Sequence, residues 1–542
     1  MAEPLILRPE SQSRYSVSVN SQYQSTVICH FILLFIICFP LGIQAQQRDQ
    51  NPVNAWQKTN QATLFGDYGT PTDPVSMIMP GTAIAAGFGT YLDNPAAMAL
   101  FGASFGEFGF VTRSAEESAA YRGLNREFDG ADFQNSISHA GFVHAFPVDI
   151  GRFVAGAGYT QYAGYNRVLS ARARNIFSSI TDFFKWPDSN YSDIAFRTYA
   201  TDFGDEFQDW DESVFRIGFD NFGQFPGIGQ VFTISERGYG GEYSIFAATE
   251  FRQNLMVGLS FGWNKGTYSY NRNFEEIDVL SDYNSDFIDT TGDGEPDTDI
   301  DRILLEDHLS AEFGGFRIRA GLLYRITPFI NFGLSYTPST NLKVNERLHA
   351  SITSTMKNRV SFEDNLERDL TYHIKTPSKL SLGMALDRYY GFTLSIAADY
   401  VNVTKTELDY RDDNMLDMQE RENEELGEFF RDIWNFRAGV SYDLNPYITL
   451  RGGYANIPGR FDSENGDRKI FSFGTGMIIT SRILFDLAFQ RELWEEVSSV
   501  YDFIQYDYSP LPESPPDFSV RSENADRQVI RWNALGSFVF LF

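Results

Sequence analysis

The amino-acid sequence predicts an all-β protein, a fourteen-stranded antiparallel transmembrane β-barrel whose lumen is plugged by the segment before the first strand. Three observations predict this fold. Apolar and polar residues alternate with a period of two over segments of about ten residues, as in strands with one apolar face. The connections between these segments are alternately short and long, and the chain ends in an aromatic-rich strand.

The first 45 residues are predicted to be a secretory signal peptide. An apolar run over residues 27–43 is followed by Ala45, a typical cleavage position. A membrane-spanning helix is the alternative, but this run is shorter than the ~20 residues that such a helix needs. Because both cysteines, Cys29 and Cys38, lie in this segment, the mature chain is expected to contain neither a disulfide nor a reactive thiol.

Acidic residues outnumber basic ones, 72 against 44, which gives a formal net charge of −28. A nucleic-acid-binding surface needs clustered positive charge, so a nucleic-acid partner is not expected. The same balance argues against an anchor of basic residues on anionic lipid. Much of the acidic excess falls in residues 278–307 and 411–432, which we interpret as parts of solvated outer loops.

Two-residue alternation is clearest in the segments 254–264, 391–400, 432–444 and 482–492. A soluble β-sandwich also alternates, so a second feature is needed to separate the two folds. Aromatic residues cluster near strand ends, as the girdles of a lipid-facing barrel require. These aromatic residues are Trp263, Tyr400, Trp434, Tyr442 and Trp532.

The alternation defines fourteen strands. They are predicted at residues 103–113, 135–147, 152–164, 241–251, 254–272, 304–326, 328–346, 370–386, 391–410, 433–443, 447–457, 469–479, 482–502 and 527–541. The links after even-numbered strands are tight, and those after odd-numbered strands are long. Short turns at one rim and long loops at the other are typical of an outer-membrane barrel. Closure also removes the exposed edge strands that promote aggregation.

The last predicted strand carries alternating aromatic residues up to the terminus. Phe538, Phe540 and Phe542 share one face of this strand. A last strand that ends in Phe resembles the C-terminal signal of outer-membrane proteins that the barrel assembly machinery reads. We therefore expect this machinery as a partner during biogenesis, with a chance aromatic end as the alternative.

An enzymatic site is not expected. A catalytic Ser–His pair within a barrel strand needs the two residues two positions apart, on one face. Ser138 and His139 are adjacent, so strict alternation places them on opposite faces. The sequence shows no phosphate-binding glycine loop and no zinc-ligand spacing, so neither an enzyme nor a resident cofactor is predicted.

The acidic segment DTTGDGEPDTDI resembles a calcium-binding loop. Positions one, three, five and nine of the EF-hand pattern are occupied by Asp289, Thr291, Asp293 and Asp297. Position twelve, where a bidentate acid is expected, is an isoleucine. The segment is therefore either a structural calcium site that braces a loop or a solvated acidic turn.

The long connection after the third strand is unusually apolar for an outer loop. Helical spacing of its apolar residues predicts a short helix that ends before Pro187. These residues either pack on one another in a small loop domain or form an apolar groove that captures hydrophobic solutes. The candidate capture residues are Ile176, Phe177, Ile180, Phe183 and Phe184.

A barrel of about fourteen strands is too wide for its inward side chains alone to fill it. Residues 81–100, just before the first strand, are compact, mostly uncharged and broken by the Asn94–Pro95 step. This segment starts on the periplasmic side of the predicted barrel, so we expect it to fold into the lumen as a plug.

The plug segment is similar to the hatch of the FadL/TodX family, outer-membrane transporters of long-chain fatty acids and other hydrophobic compounds. The family's hatch signature corresponds here to Ala83, Ile84, Ala85, Asn94, Pro95 and Ala96. Residues 376–387, 392–408 and 434–458 extend the resemblance. Where the family usually has acidic residues after its Ala-Ile-Ala element, this chain has Ala86 and Gly87.

The resemblance implies diffusion without an energy source. A hydrophobic solute would adsorb to the outer loops, enter a lumen pocket and, after hatch movement, leave sideways through a gap where the third strand kinks. Gly156, Gly158 and Gly164 are the candidate kink residues. Expected partners are hydrophobic small molecules, outer-membrane lipid and lipopolysaccharide. The protein is expected to be a monomer in the outer membrane of a Gram-negative-type bacterium.

Two other functions stay open at this stage. A general porin for polar solutes would have an open, charged lumen, and an adhesive or structural surface barrel would use its large loops to bind partners. The predicted organisation is a signal peptide (1–45), an N-terminal extension with the hatch (46–102) and a barrel with long extracellular loops (103–542).

Overall fold

The structure is a computed structural model, and the residues it describes do not include the predicted signal peptide. The described residues are 58–67, 69, 73–128, 134–148, 151–185, 191–203, 210–217, 225–284, 286–461, 466–507 and 518–542. None of the helices within these ranges is long and apolar enough to cross a membrane.

Fourteen antiparallel strands form a closed barrel, which confirms the predicted fold class and strand number. Each strand pairs with the next, and the last pairs with the first from Phe105↔Leu541 to Ala120↔Asp526. The strands are β1 Phe105–Tyr121, β2 Gln134–Phe146, β3 Phe153–Gly164, β4 Ile228–Arg252, β5 Leu255–Ile277, β6 Ile300–Arg325, β7 Ile330–Thr337 continued by Asn341–Met356, β8 Ser361–Lys375 continued by Lys379–Tyr389, β9 Phe392–Val401, β10 Ile433–Asn445, β11 Ile448–Ile457, β12 Arg468–Thr480, β13 Ile483–Tyr506 and β14 Phe518–Leu541.

Shorter elements lie before the barrel and in the long loops. The helices are α1 Lys58–Phe65, α2 Pro74–Ile78, α3 Thr90–Asp93, α4 Thr181–Phe184, α5 Ser192–Arg197 and α6 Leu416–Phe429. The 3₁₀ helices are Pro95–Leu100, Val403–Lys405 and Asp413–Met415. The short strands are Leu124–Phe128, Arg167–Asn175, Thr201–Phe203, Asp211–Ser213 and Glu407–Asp409.

The predicted strand ends were least accurate on the side of the long loops. The fourth strand begins at Ile228 rather than residue 241. Outward aromatic residues mark only the part of a strand that faces lipid, so the part beyond the lipid was not predicted. The prediction for the ninth strand, 391–410, was too long, since β9 ends at Val401 and a 3₁₀ turn follows. The short and long connections alternate as predicted except after β7, where both strands extend beyond their predicted ends and only residues 357–360 separate Met356 from Ser361.

The outward face of the wall changes from apolar to polar at a defined level. On β5, Leu259, Phe261 and Trp263 are 41, 47 and 53 % exposed, as side chains that face lipid must be. From Lys265 to Glu275 the outward residues of the same strand are polar. Trp263 therefore marks the outer boundary of the apolar band.

Beyond this boundary, β4 to β8 continue as a sheet that is polar outside and apolar inside. Its inner face and the long loops share one buried cluster, which we call the outer core. Representative members are Phe65, Tyr268, Phe313, Ile352 and Tyr372. The outer end of the molecule is therefore a packed module and not a set of solvated loops, as the sequence had suggested for the acidic connections.

The predicted helix over residues 176–184 is wrong in extent. The chain is a strand up to Asn175, whose side-chain oxygen accepts hydrogen bonds from the backbone N–H groups of Phe177 (2.9 Å) and Ser178 (3.3 Å). Such an asparagine turn competes with helix formation. Only α4, Thr181–Phe184, is helical, so the apolar residues do not share one helical face.

Helix α1 lies in the middle of the outer core, so the chain before the barrel reaches its outer end. The ring of Phe65 is fully buried and stacks on Phe313, with ring centroids 4.5 Å apart, and it meets Tyr268 edge-on. The Tyr372 hydroxyl donates to Gln61 Oε1 at 2.6 Å. These contacts hold the N-terminal extension across the bore.

We expect the substitution Phe65→Ala to loosen this end of the molecule without opening the barrel. Loss of a buried aromatic ring costs about 3–5 kcal/mol, whereas β1–β14 closure does not involve the helix. Hydrogen exchange measured by mass spectrometry should rise in α1 and in the inner faces of β5 and β6. The control Thr267→Ala changes an outward neighbour of Tyr268, and equal exchange in both variants would contradict a docked helix.

Candidate functional site

A segment between α1 and β1, residues 73–100, lies inside the barrel; we call it the lumen segment. Inward glycines of the wall make room for its backbone. A Cβ atom at Gly321 would lie 2.0 Å from Asn94 Oδ1, and one at Gly333 would lie 1.9 Å from the Thr82 carbonyl oxygen. A Cβ atom at Gly453 on β11 would lie 2.4 Å from the Ile78 carbonyl oxygen. The segment is thus seated against several strands of the inner wall.

The Asn-Pro-Ala step of the lumen segment links it to β6. The Asn94 amide donates to the carbonyl oxygens of Thr82 (2.7 Å) and Leu322 (3.0 Å), and its oxygen accepts from Ala96 N–H (3.0 Å). Pro95 then opens a 3₁₀ helix, where its missing N–H is not needed. Asn94 therefore serves both as a helix cap and as a contact to the wall.

The predicted Ala-Ile-Ala residues lie on the opposite side of the same turn. Ala83 and Ile84 are buried and Ala85 is half-buried. The Ala83 carbonyl oxygen accepts a hydrogen bond from Asn331 Nδ2 on β7 at 3.2 Å. These small residues let the backbone approach the wall closely.

Two aspartates that the sequence analysis did not select hold the lumen segment. Asp93 accepts from Gly81 N–H at 2.8 Å and pairs with Arg437 of β10 at 2.8 Å. Asp73 caps α2 and accepts from Gly89 N–H at 2.9 Å. A Cβ atom at Gly87 would lie 2.0 Å from Asp73 Oδ1, so the glycine is required by this carboxylate. The position of Asp93 next to the Asn-Pro step was the signal that could have revealed it, and for Asp73 the signal was its place before Pro74 at the start of α2.

A buried polar group joins the lumen segment to β1 and β2. Glu107 accepts from Phe88 N–H at 3.2 Å, and its other oxygen lies 3.0 Å from His139 Nε2. Ser138 Oγ lies 3.0 Å from His139 Nδ1. The prediction that Ser138 and His139 face opposite sides is wrong, because a β-bulge between β1 and β2 turns both inward. Both side chains are fully buried, with no surface open to a substrate.

The side chain of Phe88 fills a pit in the wall between β2 and β3. Cβ atoms at Gly141 and Gly158 would lie 2.2 and 2.5 Å from Phe88 Cζ, so only glycine leaves space for the ring. Phe88 also stacks on His139 with an interplanar angle of 17°. The ring is completely buried.

Next to this pit the pairing of the wall is interrupted. The β2–β3 ladder ends at His139↔Thr160, although β3 continues to Gly164. The β3–β4 ladder shifts register between Gln161 and Ala163. Of the candidate kink residues, Gly158 faces Phe88, Gly156 faces the Phe246 ring, and Gly164 ends β3 beside Arg113.

A cavity of about 160 Å³ lies in the lumen between α1 and the lumen segment. Leu64 and Asp67 line it on one side, and Met77 and Asp93 on the other. Its basic lining residues are Arg113, Arg167, Lys379, Arg437, Arg460, Arg468 and Arg531. Its acidic lining residues are Asp67, Asp93, Glu236, Asp399, Glu492 and Glu496.

The arginines at one side of the cavity outnumber their acidic partners. Arg468 and Arg531 share the Glu492 carboxylate at 3.7 and 3.8 Å. Both guanidinium groups also lie over the Trp494 ring, 4.8 and 5.2 Å from its centroid. Shared and long ion pairs leave donor capacity for an anionic group.

The predicted capture residues separate into two groups. Ile180 and Phe184 are fully buried in the outer core and Phe183 is half-buried, whereas Ile176 and Phe177 are 50 and 60 % exposed. A Cβ atom at Gly227 would meet Ile176 at 2.8 Å, and one at Gly229 would meet Val279 at 2.3 Å. Val279 and Leu280 are also exposed, so an apolar patch lies at the outer tip of the β4–β5 region.

Buried ion pairs hold the loop that carries these residues. Asp182 lies 2.9 Å from Lys185 Nζ and 2.8 Å from Arg216 Nη2, and Lys185 also contacts Glu212 at 2.9 Å. Burial alone would raise the pKa of Asp182, but Arg216 and Lys185 hold it below its ordinary value. The carboxylate therefore stays ionised and the loop keeps one conformation.

The calcium-like segment lies between β5 and β6 and is exposed. Asp289 accepts from the N–H groups of Gly292 and Gly294 at 2.7 Å, and Asp297 accepts from Thr290 N–H at 2.7 Å. These backbone bonds lower the pKa values of both aspartates. Within the described ranges, no three His, Cys, Asp or Glu residues form a group that could hold a metal. Calcium binding through Asp289, Thr291, Asp293 and Asp297 stays a prediction.

The chain matches the family described as outer membrane protein transport protein (OMPP1/FadL/TodX) over residues 252–509. No match to a curated protein sequence was found.

Similar solved structures include the toluene transporter TodX of P. putida, with 14 % identity and a TM-score of 0.50 over 87 % of this chain and 99 % of that one. A Pseudomonas aeruginosa FadL homologue has 11 % identity and a TM-score of 0.47 over 87 % and 99 %. The Ralstonia pickettii toluene transporter TbuX has 15 % identity and a TM-score of 0.45 over 87 % and 99 %. At such identities the likeness to TodX shows the shared fold. The family match, which covers less than half of the chain, and the closed barrel together indicate an outer-membrane β-barrel similar to the OMPP1/FadL/TodX transport proteins.

Proposed function

We propose that this protein lets hydrophobic compounds, long-chain fatty acids in particular, diffuse across the outer membrane. The lumen segment acts as a hatch that moves, and the solute leaves sideways through the wall between β2 and β3. The observation that carries this proposal is the Phe88 ring, which fills a glycine-lined pit beside the end of the β2–β3 ladder.

The family match over residues 252–509 and the fold shared with TodX, described as a toluene transporter, support an apolar cargo. The charges in the cavity support a cargo that also carries an anionic group. Arg468 and Arg531, which share one glutamate, are suited to a carboxylate, and a pure hydrocarbon would not use their remaining donor capacity. A fatty acid satisfies both requirements.

The closed lumen supports movement of the hatch. The cavity of about 160 Å³ is bounded by α1 on one side and by the lumen segment on the other. Drug-sized ligands occupy sites of about 300–1,000 Å³, so a long-chain solute needs additional space. The polar contacts of Asp73 and Asp93 are the ones that such a movement would break.

The interrupted ladder supports a lateral exit. Backbone groups within a bilayer must be paired, so a wall opens most easily where pairing is already missing. Beyond Thr160, a side-chain bond from Ser136 Oγ to Gln161 Oε1 at 2.8 Å takes the place of the ladder. A solute that left here would enter lipid without crossing water.

The exposed patch around Ile176, Phe177, Val279 and Leu280 is the proposed site of initial capture. Contiguous apolar surface in contact with water favours adsorption of lipophilic solutes. Ile180, Phe183 and Phe184 would support this patch from below and not contact the solute first.

For biogenesis, we propose that the assembly machinery reads β14, where Phe538, Phe540 and Phe542 are 38, 43 and 82 % exposed.

We expect Phe88→Ala to raise uptake of a labelled long-chain fatty acid by about tenfold or more. The ring must leave its pit before a solute can pass, and exposing a buried Phe side chain costs about 1.5–3 kcal/mol. Uptake is measured in cells that carry the variant as their only such transporter, with barrel assembly checked by heat-modifiable mobility.

Tyr91→Phe is the matched control, because it keeps a ring 5.5 Å from Phe88 and removes only the hydroxyl that contacts Thr160. Unchanged uptake in Phe88→Ala beside an active wild type would reject the lateral exit. Wild-type protein that takes up no apolar solute would reject transport as a whole, and steady conductance of small ions would favour a porin.

We expect the double substitution Arg468→Gln and Arg531→Gln to reduce fatty-acid uptake by about tenfold or more, because charged hydrogen bonds contribute about 1.5–3 kcal/mol. Toluene uptake should change little, since this solute needs no anionic partner. Arg482→Gln, an exposed residue in the turn before β13, is the control. An equal loss of both solutes would contradict a carboxylate site in the cavity.

A further inference from the structure

A row of hydrogen-bond donors lies on the outward face of β3 to β7, directly above the apolar band; we call it the donor row. It consists of Tyr159, Trp263, Lys265 and Lys343. Trp263 pairs with Tyr243 on β4 and Phe316 on β6, and all three side chains are exposed aromatics at the boundary. The donor row therefore lies at the depth of the outer-leaflet head groups.

Strand register fixes the order of the two lysines. Lys265 is opposite Gly241 on β4 and Gly314 on β6, and Gly314 is in turn opposite Lys343 on β7. Both lysines are exposed. The two glycines flank Lys265: the Tyr159 side chain covers Gly241, whereas Gly314 leaves a shallow depression beside Trp263.

Aromatic donors lie beside both glycines. A Cβ atom at Gly241 would lie 2.5 Å from the Tyr159 hydroxyl oxygen, and one at Gly314 would lie 4.0 Å from Trp263 Nε1. Tyr and Trp place an apolar ring in lipid and a polar atom at the interface. An O–H group, an indole N–H group and two ammonium groups thus follow one line across five strands.

The lysines of the donor row are available to a ligand. Neither Lys265 nor Lys343 has an ion-pair partner within 4.0 Å among the residues that the structure describes. In register, the next outward row is Thr267, Glu312, Asn345 and Thr371, which contains one acid. On the side of β8, Lys343 is opposite His373. In a chain of net charge −28, such a row of cations is a local exception that suits an anionic partner.

We propose that the donor row binds the phosphate groups of a phosphorylated glycolipid in the outer leaflet. Lysine ammonium groups supply charge, while Tyr159 and Trp263 donate directional hydrogen bonds from beside Gly241 and Gly314. Acyl chains of the same molecule would pack on Phe261 and Phe316 below. This inference does not depend on the transported solute, because the row lies on the outside of the wall.

The test uses the full-length mature protein in detergent, mixed with lipid A that carries two phosphates, and counts retained lipid by native mass spectrometry. Each lysine near an anionic lipid surface contributes about 1 kcal/mol, or about fivefold. Lys265→Gln with Lys343→Gln should therefore weaken retention about 25-fold. Dephosphorylated lipid A should be retained no better by wild type than by this variant.

Lys469→Gln is the matched control, since Lys469 is exposed one position above the outward Phe471 on β12, away from the donor row. Its retention of lipid A should equal that of wild type. An equal loss in this control, or no loss in the double variant, would overturn the proposed site. Inorganic phosphate that binds as tightly as lipid A would overturn a lipid ligand.

Discussion

The need to pair every backbone polar group in lipid determines the rest of this structure. A sheet in lipid pairs all of its backbone groups only when its first and last strands pair with each other. Here β14 pairs with β1 from Phe105↔Leu541 to Ala120↔Asp526. Fourteen strands leave a bore that side chains cannot fill, so the chain must supply a further segment. Two parts of the chain before β1 lie in this bore, α1 at its outer end and the lumen segment, residues 73–100, below.

Filling the bore with backbone introduces polar groups that need partners of their own. Wall glycines at Gly321 and Gly333 bring the lumen segment within hydrogen-bond distance of the strands. Asp93 with Arg437 and Asp73 with Gly89 then supply charged or directional contacts. Such contacts are strong but few and specific, which is consistent with the movement proposed for this segment.

Strand number, the alternation of turns and loops and the position of the lumen segment follow from sequence patterns, because each depends on local spacing. The site depends on contacts between distant residues. The sequence around Gly141 and Gly158 contains no pattern that predicts the Phe88 ring in the space these glycines leave. The bulge that turns Ser138 and His139 to one side breaks the very periodicity that predicted their separation. Asn175 gives a second example, because its side chain forms a turn with the Phe177 N–H group where the helix was predicted to start.

Net charge likewise describes the chain and not its surfaces. The net charge of −28 makes a cationic surface unexpected, yet basic residues lie close together at two places. In the cavity, Arg468 and Arg531 share one carboxylate, and on the outer wall Lys265 and Lys343 lie in register with a glycine between them. Exposed loop acids such as Asp293 and Asp297 stay in water, where their repulsion is screened beyond about 8–10 Å. Screening of that kind lets one molecule keep an acidic exterior and locally cationic surfaces at once.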